Sequence, residues 1–144
     1  MRRFLIVPVL VLFALAPACG SDGGPDDGSP SPAVGGLVTR SVQAGEVDVE
    51  IDPVRIDSTG AEFDISFDTH SVDLGIDVAS EARLEVADVA WKRRKWTGDP
   101  SGGHHREGTL TFDAGGPARG TAELTISGLP ESVSASWTLD GSDG

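Results

Sequence analysis

Acidic and apolar residues alternate along much of the chain, and this alternation most restricts how it can fold. It is clearest in VDVEIDPVRID (residues 47–57). Successive side chains of a β-strand point to opposite faces, so one face of this segment is expected to be buried and the other to face water. After Pro53 the apolar positions shift to Val54 and Ile56. The shift predicts a β-bulge at Asp52 and Pro53, and a proline here indicates an edge strand.

Further segments with the same period follow, separated by turn residues such as glycine and proline. They are AEFDISFDT (61–69), HSVDLGIDV (70–78), RLEVADVAW (83–91), TLTF (109–112), TAELTIS (121–127) and SVSASWTL (132–139). No segment has a 3.6-residue period of helical length. The sequence therefore predicts an all-β fold, an antiparallel β-sandwich of six to eight strands with an immunoglobulin-like arrangement, and leaves a barrel open as the alternative.

The N-terminus has the composition of a secretory signal peptide. Arg2 and Arg3 precede an almost wholly apolar run, residues 4–16, and the small residues of APA (residues 16–18) close it. The run is shorter than the roughly 20 apolar residues that a membrane-spanning helix needs. Residues 1–18 are therefore predicted to direct export and to be removed.

Cys19 is the one cysteine of the chain, and it lies where the signal peptide would be cleaved. The stretch LAPACG (residues 15–20) resembles the lipobox of bacterial lipoproteins, whose cysteine is acylated and becomes the new N-terminus. The resemblance implies a lipid anchor at Cys19, in the cell membrane or the outer membrane, with the protein facing the periplasm or the exterior. The alternative is an ordinary secreted protein with an unpaired thiol.

Composition divides the rest of the chain into three parts. Residues 19–36 hold the cysteine and then Gly, Pro, Ser and Asp almost exclusively. Such a segment buries too little apolar surface to offset its ordering entropy, so we expect a disordered tether that reaches on the order of 23 Å. Residues 37–140 hold the alternating segments and form the predicted β domain, and residues 141–144 are expected to be a flexible tail.

Three histidines lie in two predicted loop segments, His70 in THSVDLGID and the other two in GGHHREG. Neutral imidazoles that meet at one point bind copper or zinc, and a carboxylate such as Glu107 can complete the ligand set. Adjacent histidines point to opposite faces of a regular strand, but the neighbouring glycines permit another conformation. The predicted transition-metal site consists of His70, one or both of His104 and His105, and Asp73. The alternative is that these histidines cap strand ends or face solvent.

Four cations lie between two tryptophans in WKRRKW (residues 91–96). One interpretation is a hairpin tip, at which the tryptophans cover the edge of the core and the cations pair with nearby acids. The other is an interaction surface that docks an acidic envelope protein or anionic lipid head groups. The residues of that predicted surface are Trp91, Arg93, Arg94 and Trp96.

Net charge argues against a nucleic-acid partner. The chain has 23 Asp and Glu against 11 Lys and Arg, a formal net charge of −12, and a field of that sign repels phosphate backbones. The motifs G-x-S-x-G and H-E-x-x-H and a glycine-rich phosphate loop are missing, and the cysteine is assigned to the anchor. We assign no catalytic residue and expect no enzyme.

The block from residue 63 to residue 112 resembles a group of small exported bacterial proteins of uncharacterised function. The shared features are THSVDL (69–74), a tryptophan in the middle segment (Trp96), and GGHH followed by EG and LTF (102–112). The resemblance implies an exported β domain and singles out the same histidines, but it supplies no activity.

Together these patterns predict an exported, membrane-anchored lipoprotein whose β domain is a non-catalytic binding module for copper or zinc. The alternative is a protein-interaction or structural module of the cell envelope that uses WKRRKW and binds no metal.

Overall fold

The computed structural model describes residues 36–140. The predicted signal peptide, Cys19, the tether up to residue 35 and the tail at 141–144 lie outside the described residues. The elements are β1 (Arg40–Ala44), β2 (Val47–Asp57), β3 (Gly60–Thr69), α1 (Val78–Glu81), β4 (Ala82–Val86), β5 (Val89–Gly98), β6 (His105–Asp113), β7 (Gly120–Ile126) and β8 (Val133–Leu139). No helix in this part of the chain is long and apolar enough to cross a bilayer.

All eight strands belong to one antiparallel sheet in the order β1-β2-β3-β6-β5-β4-β7-β8, which is nearly closed into a barrel. Side chains join the two end strands. The Arg40 guanidinium donates to the Ser136 carbonyl at 3.0 and 3.2 Å, and Trp137 Nε1 donates to the Val38 carbonyl at 2.7 Å. The prediction of an all-β, antiparallel fold is confirmed, whereas an immunoglobulin-like sandwich is not.

The inward faces of the strands pack into one hydrophobic core, as the alternation predicted. Phe63, Ile65 and Phe67 of β3 are buried, and Phe63 packs against Trp137 with ring centroids 5.4 Å apart. Full burial of one such side chain contributes about 1.5–3 kcal/mol. Since residues 37–140 contain no cysteine, this core holds the domain together without a disulfide.

The irregularity in β2 lies close to its predicted position. The register shifts between Pro53 and Arg55, so the bulge is confirmed. However, Pro53 is buried and Val54 is 50 % exposed, the reverse of the predicted orientation of Val54. The prediction of an edge strand was wrong, because β2 pairs with both β1 and β3. Pro53 is tolerated there because the pairing with β1 goes no farther than Ile51.

Three parts of the fold differ from the strands predicted from the sequence. HSVDLGIDV is a loop over residues 70–77 that leads into α1, although Leu74 and Val78 are buried. RLEVADVAW is two strands, β4 and β5, joined by a tight turn in which Ala87 and Asp88 have φ of 47° and 64°. The five residues of β1 were not among the predicted strands.

Because neighbouring strands are antiparallel, every connection falls at one of two ends of the barrel. The Gly36 end carries residues 36–39, the turns at 58–59 and 87–88, and the loop 114–119. The histidine end carries the turn 45–46, the first histidine loop (residues 70–77), the second histidine loop (residues 99–104) and the loop 127–132.

Candidate functional site

Backbone hydrogen bonds join the two histidine loops to each other. The Thr69 N–H donates to the His104 carbonyl, the Leu74 N–H to the Gly103 carbonyl, and the Gly102 N–H to the Leu74 carbonyl, each at 2.9 Å. Gly102 and Gly103 have φ of 109° and 81°, a region that glycine adopts without a steric penalty. The loops therefore lie side by side, and the structure brings together the two segments that carry the histidines.

Arg106 fixes both loops from inside the barrel. This inward residue of β6 is 3 % exposed, and its Nη1 donates to the carbonyls of Leu74 and Ile76 at 3.2 and 2.6 Å. Its Nε donates to the Asp99 carbonyl at 3.2 Å, and its Cζ lies 5.3 Å from the centroid of the Trp96 ring. Burial lowers the pKa of the guanidinium, and nearby carboxylates oppose that shift. Carbonyls from both loops thus converge on one buried cation.

His105 lies on the outer face of β6 between two carboxylates. Its Nδ1 is 2.6 Å from Asp68 Oδ1, and its Nε2 is 2.8 Å from Glu107 Oε1. Asp68 is its partner across the β3–β6 ladder, and Glu107 lies two positions along the same strand, so all three share a face. Their hydrogen bonds, that of Asp68 first, raise the pKa of His105 to about 8. At neutral pH the imidazole is therefore charged, with both nitrogens engaged.

The acidic outer face of β2 and β3 extends this environment. Asp48 lies directly across from Asp68, and Asp52 lies directly across from Asp64. Like charges in such positions repel each other. A concave region of about 590 Å³ on this face is lined by Asp52, Asp64, His105 and other polar residues. A field of this sign raises the local concentration of cations beside the histidine end.

The predicted metal ligands lie in one part of the molecule but do not form a closed ligand set. His70, His104 and Asp73 are exposed, and Asp73 Oδ1 accepts a hydrogen bond from the Gly103 N–H at 3.0 Å. His105, the first residue of β6, has both ring nitrogens hydrogen-bonded to Asp68 and Glu107. Among residues 36–140, no group of three or more His, Cys, Asp or Glu side chains is arranged to hold a metal ion.

The segment WKRRKW lies inside β5, so the prediction of a hairpin tip was wrong. The register shifts between Lys92 and Lys95, where Arg93 has φ of 54°. In a regular strand, residues five positions apart face opposite sides, but the irregularity lets Trp91 and Trp96 both pack on the core. Trp91 is 3 % exposed and does not belong to an accessible interaction surface, whereas Trp96 is half-buried.

The four cations of this segment are exposed. Arg94 Nη1 donates to the Ala82 carbonyl at 2.5 Å, and Arg93 Nη1 lies 3.6 Å from a carboxylate oxygen of Asp113. The side chains of Lys92 and Lys95 have no hydrogen-bond or ion-pair partner among the described residues. The expected pairing of cations with acids is therefore seen for Arg93.

Two residues of the site, Arg106 and Asp68, were given no role by the sequence analysis. For Arg106 a signal was present, because Leu110 and Phe112 face inward and residue 106 shares their parity. For Asp68 the decisive fact is its position opposite His105, which depends on the register of two strands far apart in sequence.

Known proteins give no guide to the function of this chain, so the proposal for it depends on the geometry described above. No family model, curated protein or solved structure matches the chain. The resemblances to bacterial lipoproteins and to small exported proteins stay predictions.

Proposed function

We propose that this chain is an exported, lipid-anchored and non-catalytic binding module whose histidine end binds copper or zinc. The observation that carries the proposal is the 2.9 Å hydrogen bond from the Thr69 N–H to the His104 carbonyl. This bond places residue 70 beside residues 104 and 105. Histidines at opposite ends of the barrel would be unable to share one ion.

The donor chemistry suits a transition metal. The imidazoles of His70 and His104 make no hydrogen bond within residues 36–140, so their nitrogens are available. Asp73 uses Oδ1 for the loop and retains a second carboxylate oxygen. Imidazole and carboxylate ligands bind zinc at about 2.0–2.2 Å, so exposed side chains would have to turn toward a common point. The acidic face beside them favours the approach of a cation.

His105 would join the ligand set only after losing a proton. Its pKa of about 8 means that metal and proton compete for the same ring below that pH. The contribution of His105 to affinity should therefore rise up to about pH 8 and level off above it.

Access supports the same assignment. Gly36 lies at the opposite end of the barrel from the histidine loops. The tether predicted for residues 19–36 would therefore join the barrel at the end away from the histidine loops.

Calorimetric titration of the mature protein with Cu²⁺ and Zn²⁺ tests the proposal. We expect a dissociation constant tighter than about 10 μM, and a loss of tenfold or more in His70→Ala and in His104→Ala. Lys92→Ala, an exposed change outside the histidine end, is the matched control and should bind as the wild type does. Binding weaker than about 10 μM, or unchanged binding by His70→Ala, would remove the metal function.

A further inference from the structure

Exposed apolar side chains concentrate towards the Gly36 end. Within residues 36–140, the large apolar side chains that are exposed are Leu37 (39 %), Val38 (38 %), Val54 (50 %) and Val89 (43 %). Leu37 and Val38 precede β1, Val54 lies in the part of β2 that runs to this end, and Val89 begins β5. None of them belongs to the histidine end.

Two exposed cations of β5, Lys92 and Arg93, lie towards the same end, whereas Arg94 reaches the Ala82 carbonyl at the start of β4. We call residues 92–95 the basic segment. Lys92 and Arg93 line a depression together with Ala114 and Gly115, and the same two loop residues line a second depression with Gly36. Gly36, at which the predicted tether ends, and the basic segment therefore border the same loop.

The histidine end carries the opposite charge. Asp73, Asp77 and Asp99 are exposed in its loops, while the cation between those loops, Arg106, is buried. The Gly36 end mixes its cations with the exposed carboxylates of Asp88, Asp113 and Asp140, whereas the loops of the histidine end carry carboxylates and no Lys or Arg.

We propose that the basic segment, with Val89 beside it, rests on the anionic surface of the membrane to which Cys19 tethers the domain. The inference rests on the lipid anchor of the proposed function. Lys and Arg are attracted to anionic head groups within a Debye length, about 8 Å at physiological salt. The carboxylates of the histidine end lie at the far end of the barrel, where salt screens them from the bilayer.

A membrane suits this surface better than an acidic protein does. Cations that share a strand with the exposed Val89 match an interface in which phosphates lie above an apolar layer. The tether predicted from the sequence, with a reach on the order of 23 Å, would also keep the domain within range of the bilayer and raise the effective concentration of lipid for even a weak contact. The domain would then stand with its Gly36 end down and its histidine loops facing away.

Depth-dependent fluorescence quenching on vesicles tests the orientation. The acylated, full mature protein carries a thiol-reactive dye at Ala90→Cys, or at Ser132→Cys on the histidine end, since Cys19 is blocked by its lipid. On vesicles of phosphatidylcholine with phosphatidylglycerol, lipid-borne quenchers should quench the dye at 90 several-fold more than the dye at 132. On pure phosphatidylcholine the difference should largely vanish.

Charge reversal supplies the matched variants. Lys92→Glu/Arg93→Glu should abolish the preference for phosphatidylglycerol, whereas Arg83→Glu, an exposed reversal on β4, should retain it. Circular dichroism confirms that each variant is folded. Equal quenching at both dye positions, or quenching at 90 that survives the double reversal, overturns the contact.

Failure of the anchor would look different. A chain that is not acylated at Cys19 does not float with vesicles of either composition, which overturns the anchor together with the contact. A protein that floats with both vesicles but shows no dependence on anionic lipid overturns the contact alone. A third outcome is that quenching does not depend on anionic lipid and that residue 90 crosslinks to an acidic protein in intact envelopes. This outcome would show that the basic segment binds a protein and not the membrane.

Discussion

The two ends of the barrel are built by different means. At the histidine end, glycine-containing loops pair through backbone hydrogen bonds around the buried guanidinium of Arg106. At the Gly36 end, two tight turns and the loop 114–119 connect the strands, and the side chains of Arg40 and Trp137 join the first strand region to the last strand. The comparison teaches that one small sheet can present ordered, acidic loops at one end while its other end retains exposed cations and apolar groups beside the tether.

The largest expected effect tests the dependence of the histidine end on Arg106. Arg106→Ala should lower the free energy of unfolding by about 3 kcal/mol, because the Ile76 carbonyl loses its donor and Trp96 loses its stacked partner. The carbonyls of Leu74 and Asp99 each lose one of two donors. Urea denaturation measures the change. Arg94→Ala removes an exposed cation that donates to one carbonyl, and it should cost less than about 1 kcal/mol. Similar losses in the two variants would show that the loops do not depend on the buried cation.

A substitution at a residue with positive φ should change stability in opposite directions at the two ends. Gly103 has φ of 81° at the histidine end, and Gly103→Ala should destabilise by about 1 kcal/mol. Ala87 has φ of 47° at the Gly36 end, so Ala87→Gly should be neutral or stabilise by up to about 1 kcal/mol, because relief of strain is partly offset by chain entropy. Urea midpoints of both variants provide the measurement. Destabilisation of equal size by both changes would contradict the assigned turn conformations.

The smallest effect is the pH dependence of His105. Its pKa is raised to about 8 in the folded protein, from about 6.5 when unperturbed. The stabilisation it supplies is therefore fully present below about pH 6.5, declines as the pH rises, and is lost above about pH 8. The difference in urea midpoint between the wild type and His105→Gln should shrink from pH 6 to pH 9. A difference that stays constant over this range would mean that the carboxylate contacts add nothing to stability.

The regular part of the sheet could be predicted from sequence because alternation encodes it locally. In β3 the inward positions of Phe63, Ile65 and Phe67 follow from the period alone. The division between β4 and β5 could not be predicted in the same way, because Ala87 and Asp88 form the turn without glycine or proline. Likewise, the residues of WKRRKW do not indicate the irregularity at Arg93. It reverses the face of the sheet on which the later residues of β5 were expected to lie.

The candidate site was predictable in its residue types and less so in its contacts. The rarity of histidine and the glycines around His104 drew attention to the correct loops. Parity would have placed Arg106 inside, but its partners are loop carbonyls, whose positions no side-chain pattern encodes. The contact between Asp68 and His105 required the register of β3 against β6, which the packing of the whole sheet determines.

The incomplete closure of the sheet has a consequence for crowding. Strands β1 and β8 stand at the two ends of the strand order, and an open sheet edge is a template on which a second chain can add a strand. Arg40 occupies the Ser136 carbonyl at this seam, so the group that blocks the edge is itself a cation. A second chain would have to displace Arg40 before it could add a strand at this position, which favours separate molecules over a growing fibre.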